Sequence, residues 1–278
     1  MSHLVTLDAV TRDFPPQTFA LRDATFAIDE DESVAIMGPS GSGKSTLLAI
    51  LGLLDSATNG TYLFDGVDIS TLDEKERTHT RRQALAFIFQ SFHLIPHLTA
   101  LENVMDGLRI AGIHHSKRRS IALDALETVG LWHRTASLPA VMSGGEQQRV
   151  AIARAIARKP RLLLCDEPTG NLDSEASGRV MQGILCVTNT TNTAVVVVTH
   201  DPNVAALCAA RCGFETASCT TDSTVQAKVL HERPDQLRFS RHRAQMAAQP
   251  DERHSGAHRC GNPRYCDRSE RVRCAESR

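Results

Sequence analysis

The sequence predicts an α/β fold with a parallel-sheet core, an antiparallel β layer at the N-terminus and a helical subdomain inserted between strands. Three observations carry that expectation. The runs "SVAIMG" (33–38), "RLLLCDEP" (161–168) and "AVVVVTH" (194–200) are apolar through a strand's length and end in glycine or polar residues. Strands buried on both faces belong to parallel sheets covered by helices. The first of these runs leads directly into a glycine-rich loop, and residues 91–142 between the strands carry helix-start signals in place of strand alternation.

Taken in chain order, "HLVTLDAV" (3–10) and "ATFAIDE" (24–30) alternate as short half-buried strands and form the antiparallel layer. "SVAIMG" is a buried strand, and "KSTLLAILGLLD" (44–55) is the helix leaving the loop. "TYLFDG" (61–66) is a strand closing on a turn at Asp65-Gly66, and "LAFIFQ" (85–90) is strand-like. In the insert, Thr99 and Glu102 are spaced as a capping box, while Ser116 and Gly130 bracket a second helix with Ile121, Ala125, Leu126 and Val129 on one stripe. Ser143-Gly144-Gly145-Glu146 is another capping box. It opens a helix continued by Val150, Ile152, Ala153 and Ile156, so the helical subdomain spans about 91–157.

Composition bounds the function. At 278 residues the chain can bury a full core, and 41% hydrophobic with 23% charged residues is ordinary for a globular protein. A formal net charge of −1 gives no bulk attraction to nucleic acid or membrane. "MSHLVTLDAV" has no basic flank before an apolar core, so no secretory signal is expected. No apolar run approaches the roughly 18 residues that span a bilayer. Six of the 8 cysteines (Cys208, Cys212, Cys219, Cys260, Cys266, Cys274) lie beyond 207, and all are read as free thiols of a reducing cytosol. From 231 onward there are eleven arginines and no lysine, and periodicity is lost. Residues 207–278 are therefore expected to be an atypical tail, disordered or non-native. A zinc site on its Cys and His residues is the rival, disfavoured because no Cys-x-x-Cys pair occurs.

The chemistry lies in three stretches. "GPSGSGKST" (38–46) has the phosphate-loop spacing between a strand and a helix. Gly38, Ser40, Gly41, Ser42 and Gly43 let main-chain N–H groups converge on phosphate, and the helix start adds partial positive charge. Lys44 is placed for the outer phosphates and the Ser45 hydroxyl for Mg²⁺, with Thr46 beside it. Asp166, at the end of an apolar strand, can hold the magnesium shell, and Glu167 can polarise an attacking water. Ser143-Gly144-Gly145 is a second helix start suited to an anion, yet it lacks a lysine. One subunit's phosphate loop already claims the phosphates, so this start most simply serves a nucleotide held by a second copy. A well-capped helix with glycines for close packing is the plain alternative.

The phosphate loop, "SGGEQQR", "CDEPTGNLD" and "VTHD", in this order and spacing, resemble the ATP-binding cassette (ABC) family of transport ATPases over about residues 4–206. The resemblance implies a P-loop NTPase (RecA-like) core and a head-to-tail dimer holding two Mg²⁺-ATP between the phosphate loop of one copy and the signature of the other. It implies that Ser143 and Gly145 contact the γ-phosphate of ATP bound to the partner, with Gly144 in the same nucleotide site, and that Gln90 senses Mg²⁺ and the attacking water. It further implies Glu167 as catalytic base, Asp173 as the loop aspartate coupling the two sites, and His200 as a clamp on the γ-phosphate. An aromatic side chain is expected to stack on adenine; Phe14 fits the spacing from the phosphate loop better than Phe19.

"FIFQSFHLIPHLTALENV" and "VTHDPNVAA" look most like bacterial cassettes of the lipoprotein-release and macrolide-export type. The resemblance implies integral membrane permease subunits as partners, met at Phe92, His93, Leu94 and Pro96, and a peripheral location on the cytoplasmic face of the cell membrane. After "VTHD" the family has a further strand and a hairpin, for which "RCGFETASCTTDSTVQAKVL" offers no evident counterpart. Two other readings remain at this point: a soluble cassette acting on nucleic acid or ribosomes, and an inactive truncated cassette. No basic stripe supports the first.

Overall fold

A computed structural model describes residues 3–14, 18–170, 174–216 and 225–228. The chain opens with β1 (Val5–Phe14) and β2 (Thr18–Ile28), paired antiparallel from Val5↔Ile28 onward. β3 (Ser33–Met37) leads through the glycine loop to α1 (Lys44–Leu51). β4 (Asn59–Phe64) and β5 (Val67–Asp68) complete the antiparallel layer. α2 (Glu74–Ala84) precedes β6 (Leu85–Phe89); α3 (Ala100–Ile110), α4 (His115–Thr128) and α5 (Gly144–Ile156) form the insert. There follow β7 (Leu162–Asp166), α6 (Ser174–Thr191), β8 (Ala194–Val198), α7 (Pro202–Ala205), β9 (Ala210–Thr216) and β10 (Val225–Lys228).

Among the described residues the strands join in the order β5-β4-β1-β2-β10-β9-β3-β8-β7-β6. The five from β9 to β6 are parallel, as the apolar runs require. β7 is buried through its first four residues and β8 throughout. Their side chains alternate between two cores. Leu162, Leu164, Val196 and Val198 pack with Leu47, Leu48, Ile50 and Leu51 of α1. Leu163, Cys165, Val195 and Val197 pack on the other face with Ile152, Ala155 and Ile156 of α5 and with Met181 and Ile184 of α6.

α5 has a second apolar face. Val150, Ala153 and Ala157 pack with Val104 and Leu108 of α3 and with Ala122, Ala125 and Leu126 of α4. The helix is therefore shared between the sheet and the insert. Both capping boxes expected from sequence are formed, at Thr99/Glu102 and Ser143/Glu146. The second insert helix differs from expectation at its start: α4 begins at His115, and the His114 ring, not Ser116, accepts the cap bond.

A larger correction concerns the stretch after "VTHD". It was expected to lack a strand, but β9 pairs parallel with β3 (Val34↔Ala210 to Met37↔Gly213), and β10 pairs antiparallel with β9 (Val225↔Thr216 to Lys228↔Gly213). Ala210 and Cys212 are buried in the α1-side core. The physical reason is alternation: "ARCGFET" is apolar at every second position to Phe214, and β3 needs a backbone partner on that side. The sheet thus continues past residue 206, where the sequence reading ended the folded region; the rest of the expected tail lies outside the described residues. Among those described, Cys165, Cys186 and Cys212 are in no disulfide.

Candidate functional site

The parallel strands end in step. Phe89, Asp166, Val198 and Ile36 are paired across β6, β7, β8 and β3, so the residues that follow emerge along one carboxyl edge. They are Gln90, Glu167, Thr199-His200 and the loop from Gly38. Main-chain bonds extend the alignment one residue further, from Glu167 N–H to Val198 O (3.0 Å) and from Thr199 N–H to Ile36 O (3.1 Å). Open α/β sheets bind ligands at this edge.

The phosphate loop is shaped by two glycines in left-handed conformation, Gly41 (φ 81°) and Gly43 (φ 86°). At Gly43 there is also no room, since a Cβ would lie 2.1 Å from the Ala20 carbonyl oxygen. Gly43 is the N-cap of α1 and supplies no side-chain cap. The first-turn N–H groups of α1 therefore point outward unclaimed by a cap, which is an anion-binding arrangement. Lys44 Nζ arches back to donate to the carbonyls of Gly38 (2.8 Å) and Pro39 (2.7 Å). Ser42 is fully buried, and its hydroxyl has no hydrogen-bond partner. An unpaired buried hydroxyl costs about 1–3 kcal/mol. A phosphate group brings the acceptors that this hydroxyl and the bare N–H groups lack, and the lysine adds a positive charge beside them, so the donor set fits a nucleoside triphosphate.

On the neighbouring strands the carboxylates differ in environment. Burial, then the adjacent Glu167 charge, raise the Asp166 pKa above its ordinary value, with Lys44 opposing. A carboxyl raised this way is stabilised as an anion by a cation placed against it. Glu167 is held at φ 45°, a costly conformation outside glycine. It is fixed by the bond to Val198 and by Gly170 N–H donating to its carbonyl (3.1 Å). Its Oε1 lies 2.8 Å from His200 Nδ1, and that hydrogen bond is the main cause raising the His200 pKa. Gln90 lies against the same turn: a Cβ on Gly170 would come 2.9 Å from Gln90 Nε2 and 3.5 Å from the Glu167 carbonyl oxygen. The structure thus brings together Lys44, Asp166, Glu167, Gln90 and His200 at one edge. Ser45 is exposed and Thr46 half-buried in the first turn of α1.

Phe14, the residue expected against adenine, ends β1 and is 40% exposed. The guanidinium of Arg12 sits 4.6 Å from its ring centroid and is anchored by Asp55 (2.8 and 3.0 Å). Sequence reading missed Arg12, although its place two residues before Phe14 on one strand was the available signal. The Phe19 backbone lies in β2 opposite Asp13; its side chain and Asp173 lie outside the described residues.

The second glycine-rich start opens α5. The Ser143 hydroxyl accepts from Glu146 N–H (3.3 Å) and the Glu146 carboxylate accepts from Ser143 N–H (2.8 Å). Arg134 donates to Glu146 (3.0 Å), another residue sequence reading overlooked. The Ser143 N–H, ahead of Arg134, keeps the Glu146 pKa below its ordinary value. A Cβ on Gly144 would meet nothing within 4 Å, and one on Gly145 only the tip of Arg149 at 3.9 Å. These glycines are therefore not explained by close packing within the chain. Among the described residues no hydrogen bond joins Ser143, Gly144 or Gly145 to the phosphate loop.

A cradle of main-chain donors with a lysine, beside paired carboxylates and a glutamine, suits a nucleoside triphosphate and a water directed at its last phosphorus. That is the class of phosphate-loop ATPases. Comparison with known proteins narrows it: the ABC transporter family matches residues 21–170, more than half of the chain. The chain belongs to this family, as an ATP-binding subunit that hydrolyses ATP. The lipoprotein-releasing system ATP-binding protein LolD of Legionella pneumophila (strain Paris) is 48% identical over 185 residues, covering 66% of this chain and 82% of LolD. The macrolide export ATP-binding/permease protein MacB of Shigella flexneri is 46% identical over 209 residues, 74% of this chain but 32% of its own length. The dimeric post-hydrolysis structure of the ATP-binding cassette MJ0796, bound to ADP and Pi, aligns with a TM-score of 0.69 at 42% identity, over 75% of this chain and 93% of that one.

Proposed function

We propose that two copies of this chain pair head to tail around two ATP molecules and drive a membrane permease partner. The observation that carries the proposal is the Ser143-Gly144-Gly145 start: capped, open, and, among the described residues, joined by no hydrogen bond to its own phosphate loop. The dimeric MJ0796 cassette, similar over three quarters of this chain, supports the same reading. Each pocket takes Gly38 to Thr46 from one copy and Ser143, Gly144 and Gly145 from the other.

Within a pocket, Lys44 and the α1 N–H groups neutralise the outer phosphates, and Ser143 with Gly145 completes the γ-phosphate shell. Ser45, Gln90 and Asp166 would hold Mg²⁺, which would supply positive charge to the phosphates. Glu167 accepts a proton from the attacking water, Gln90 helps orient it, and His200 donates to the γ-phosphate. Positioning and charge of this kind are what phosphoryl transfer requires. Phe14 stacks on adenine, a contact worth about 1–3 kcal/mol by analogy with base–aromatic stacking. Asp173 couples the two pockets.

The permease is met at the loop of Phe92, His93, Leu94 and Pro96. No described helix is long and apolar enough to cross a membrane. Attachment would therefore come through the partner, on the cytoplasmic face. Relatives named for lipoprotein release and macrolide export support a permease of that type.

The test is dilution. Specific ATPase activity is expected to fall as the chain is diluted below its pairing constant at saturating Mg²⁺-ATP. Full activity of a demonstrated monomer would end the proposal.

The pH profile follows from the His200–Glu167 pair. The His200 pKa is raised above 6.5, so the imidazolium pairs with Glu167 at low pH. This pairing stabilises the fold below the unfolded-state value and is lost as pH rises through the folded one. Loss of the proton also frees Glu167 as a base. The turnover rate is therefore expected to rise with pH through an inflection above 6.5, and His200→Gln should remove that inflection. An unchanged profile in the variant would show that the pair does not control the base.

A further inference from the structure

The segment from Ser91 to Thr99, between β6 and α3, is fastened at two points. At its far end the buried Asn103 side chain of α3 accepts from Ile95 N–H (2.7 Å) and donates to the carbonyls of Leu98 (2.9 Å) and Thr99 (3.1 Å). At its near end, just after Gln90, the chain turns through two successive left-handed residues, Phe92 (φ 57°) and His93 (φ 47°). Neither is glycine, and each such residue costs about 1 kcal/mol or more. Conformations of this kind persist only where their surroundings hold them.

Within the turn, Phe92 N–H donates to the Phe89 carbonyl (3.2 Å) and the His93 ring meets Phe89 edge-on at 5.0 Å, but the link to the helices is made by one side chain. Arg154 Nη2 donates to the Phe92 carbonyl (2.8 Å) and Nη1 to the His93 carbonyl (2.6 Å). The planar guanidinium gives each carbonyl its own N–H in a fixed fork, where a lysine would have to serve both from a single nitrogen. The stem of Arg154 passes over Gly107 of α3, where a Cβ would come 2.8 Å from its Cγ, so that glycine leaves the path open. Arg154 lies on α5, roughly three turns from Ser143. The neighbouring Ala153 and Ile152 bury α5 against the insert and the sheet respectively.

We propose that Arg154 is a positioning residue that joins the loop after Gln90 to the helix bearing Ser143, so that both move as one part. A displacement at Phe92–His93 is then delivered to the start of α5 instead of being absorbed by the loop. In return, seating Ser143 on a partner's nucleotide fixes the loop that places Gln90. The inference rests on the proposed roles of Gln90 and Ser143.

The experiment compares the full-length chain with Arg154→Met, Arg154→Lys and Gly107→Ala, the last crowding the arginine stem without removing it. Three quantities are read: kcat and KM for Mg²⁺-ATP, thermal stability, and amide hydrogen exchange at 91–95 and 143–147 with and without ATP. In Arg154→Met, kcat is expected to drop by about 10²-fold, the scale of a roughly 1 Å misplacement, with KM nearly unchanged. Exchange at 91–95 should quicken and no longer follow that at 143–147 when ATP is added. Arg154→Lys, which keeps the charge but must serve both carbonyls from one unforked nitrogen, should lose less, and Gly107→Ala should shift in the same direction. Parental kcat in Arg154→Met, or losses in every quantity that scale with thermal stability alone, would overturn the inference. So would ATP-induced protection at 143–147 that is untouched while 91–95 is loose. A parent chain that fails to pair on ATP sinks the site reading and this inference with it. A pairing parent beside an indifferent Arg154→Met variant overturns the inference alone.

Discussion

Glu167→Gln is expected to lower ATP turnover by about 10²–10⁴-fold, the range for a positioned general base, while leaving ATP affinity little changed. The two effects separate because different elements produce them. Affinity is expected to come from the phosphate loop and Lys44, which hangs on the carbonyls of Gly38 and Pro39. Turnover is expected to depend on the Glu167 carboxylate, placed by the bond from its own N–H to Val198 and by the His200 contact. Glutamine has the same shape and keeps that backbone, so the change removes basicity and charge without opening a cavity.

Two secondary signs follow from the charges. Burial is the main cause of the raised pKa of Asp166, with Glu167 second, whereas Glu167 is the main cause of that of His200. In the variant the His200 value should return toward its ordinary one and that of Asp166 should stay raised by burial. The ATP-bound pair should also persist, since binding proceeds and hydrolysis does not reopen it. The measurements are steady-state turnover, nucleotide binding by calorimetry, and mass by light scattering with Mg²⁺-ATP. Parental turnover would remove Glu167 from the chemistry; lost binding would place it in the nucleotide shell.

What the sequence disclosed divides by the range of the signal. The phosphate loop, the β7 and β8 runs and the caps at Thr99 and Ser143 are local patterns, and each forms where the spacing placed it. α2 was not anticipated because none of its residues is buried, so it carries no apolar period. Its Asp73/Glu76 capping box was the readable clue. β9 was obscured by Arg211 and Gly213, although the sequence is apolar at every second position through Ala210, Cys212 and Phe214. The His114 cap of α4 lies outside the residue types that usually cap helices. The Arg154 clamp joins residues 61 and 62 positions apart and leaves no local trace. In the site itself, residue types were legible. That Gln90 lies against Gly170, and that His200 pairs with Glu167, depends on strand order, which no local spacing encodes.

Ser143→Asp is expected to abolish ATP-driven pairing while leaving each chain folded and able to bind nucleotide. Aspartate is as good a cap as serine, so the start of α5 should keep its bond from Glu146 N–H and its stability. What changes is the sign of the group presented outward. A hydroxyl that can donate to a partner's γ-phosphate becomes a carboxylate that repels it. A hydrogen bond to a charged group contributes about 1.5–3 kcal/mol. Two-fold symmetry repeats it in both pockets, so the loss is about 3–6 kcal/mol, or about 10²–10⁴ in the pairing constant, before repulsion is counted.

The pairing geometry can be tested by mixing. In the Glu167→Gln background, a chain with Ser143→Asp and a chain with Lys44→Ala should each remain single with Mg²⁺-ATP. Together they can build one intact pocket, from Lys44 of the first and Ser143 of the second, with both defects confined to the other pocket. Light scattering should then show pairs forming only in the mixture, with one ATP per pair. If Ser143 served its own chain's nucleotide, no intact pocket could arise and mixing would restore nothing. The absence of any packing demand at Gly144 and Gly145 favours the shared pocket, because a glycine with open space beside it is most useful where another molecule approaches.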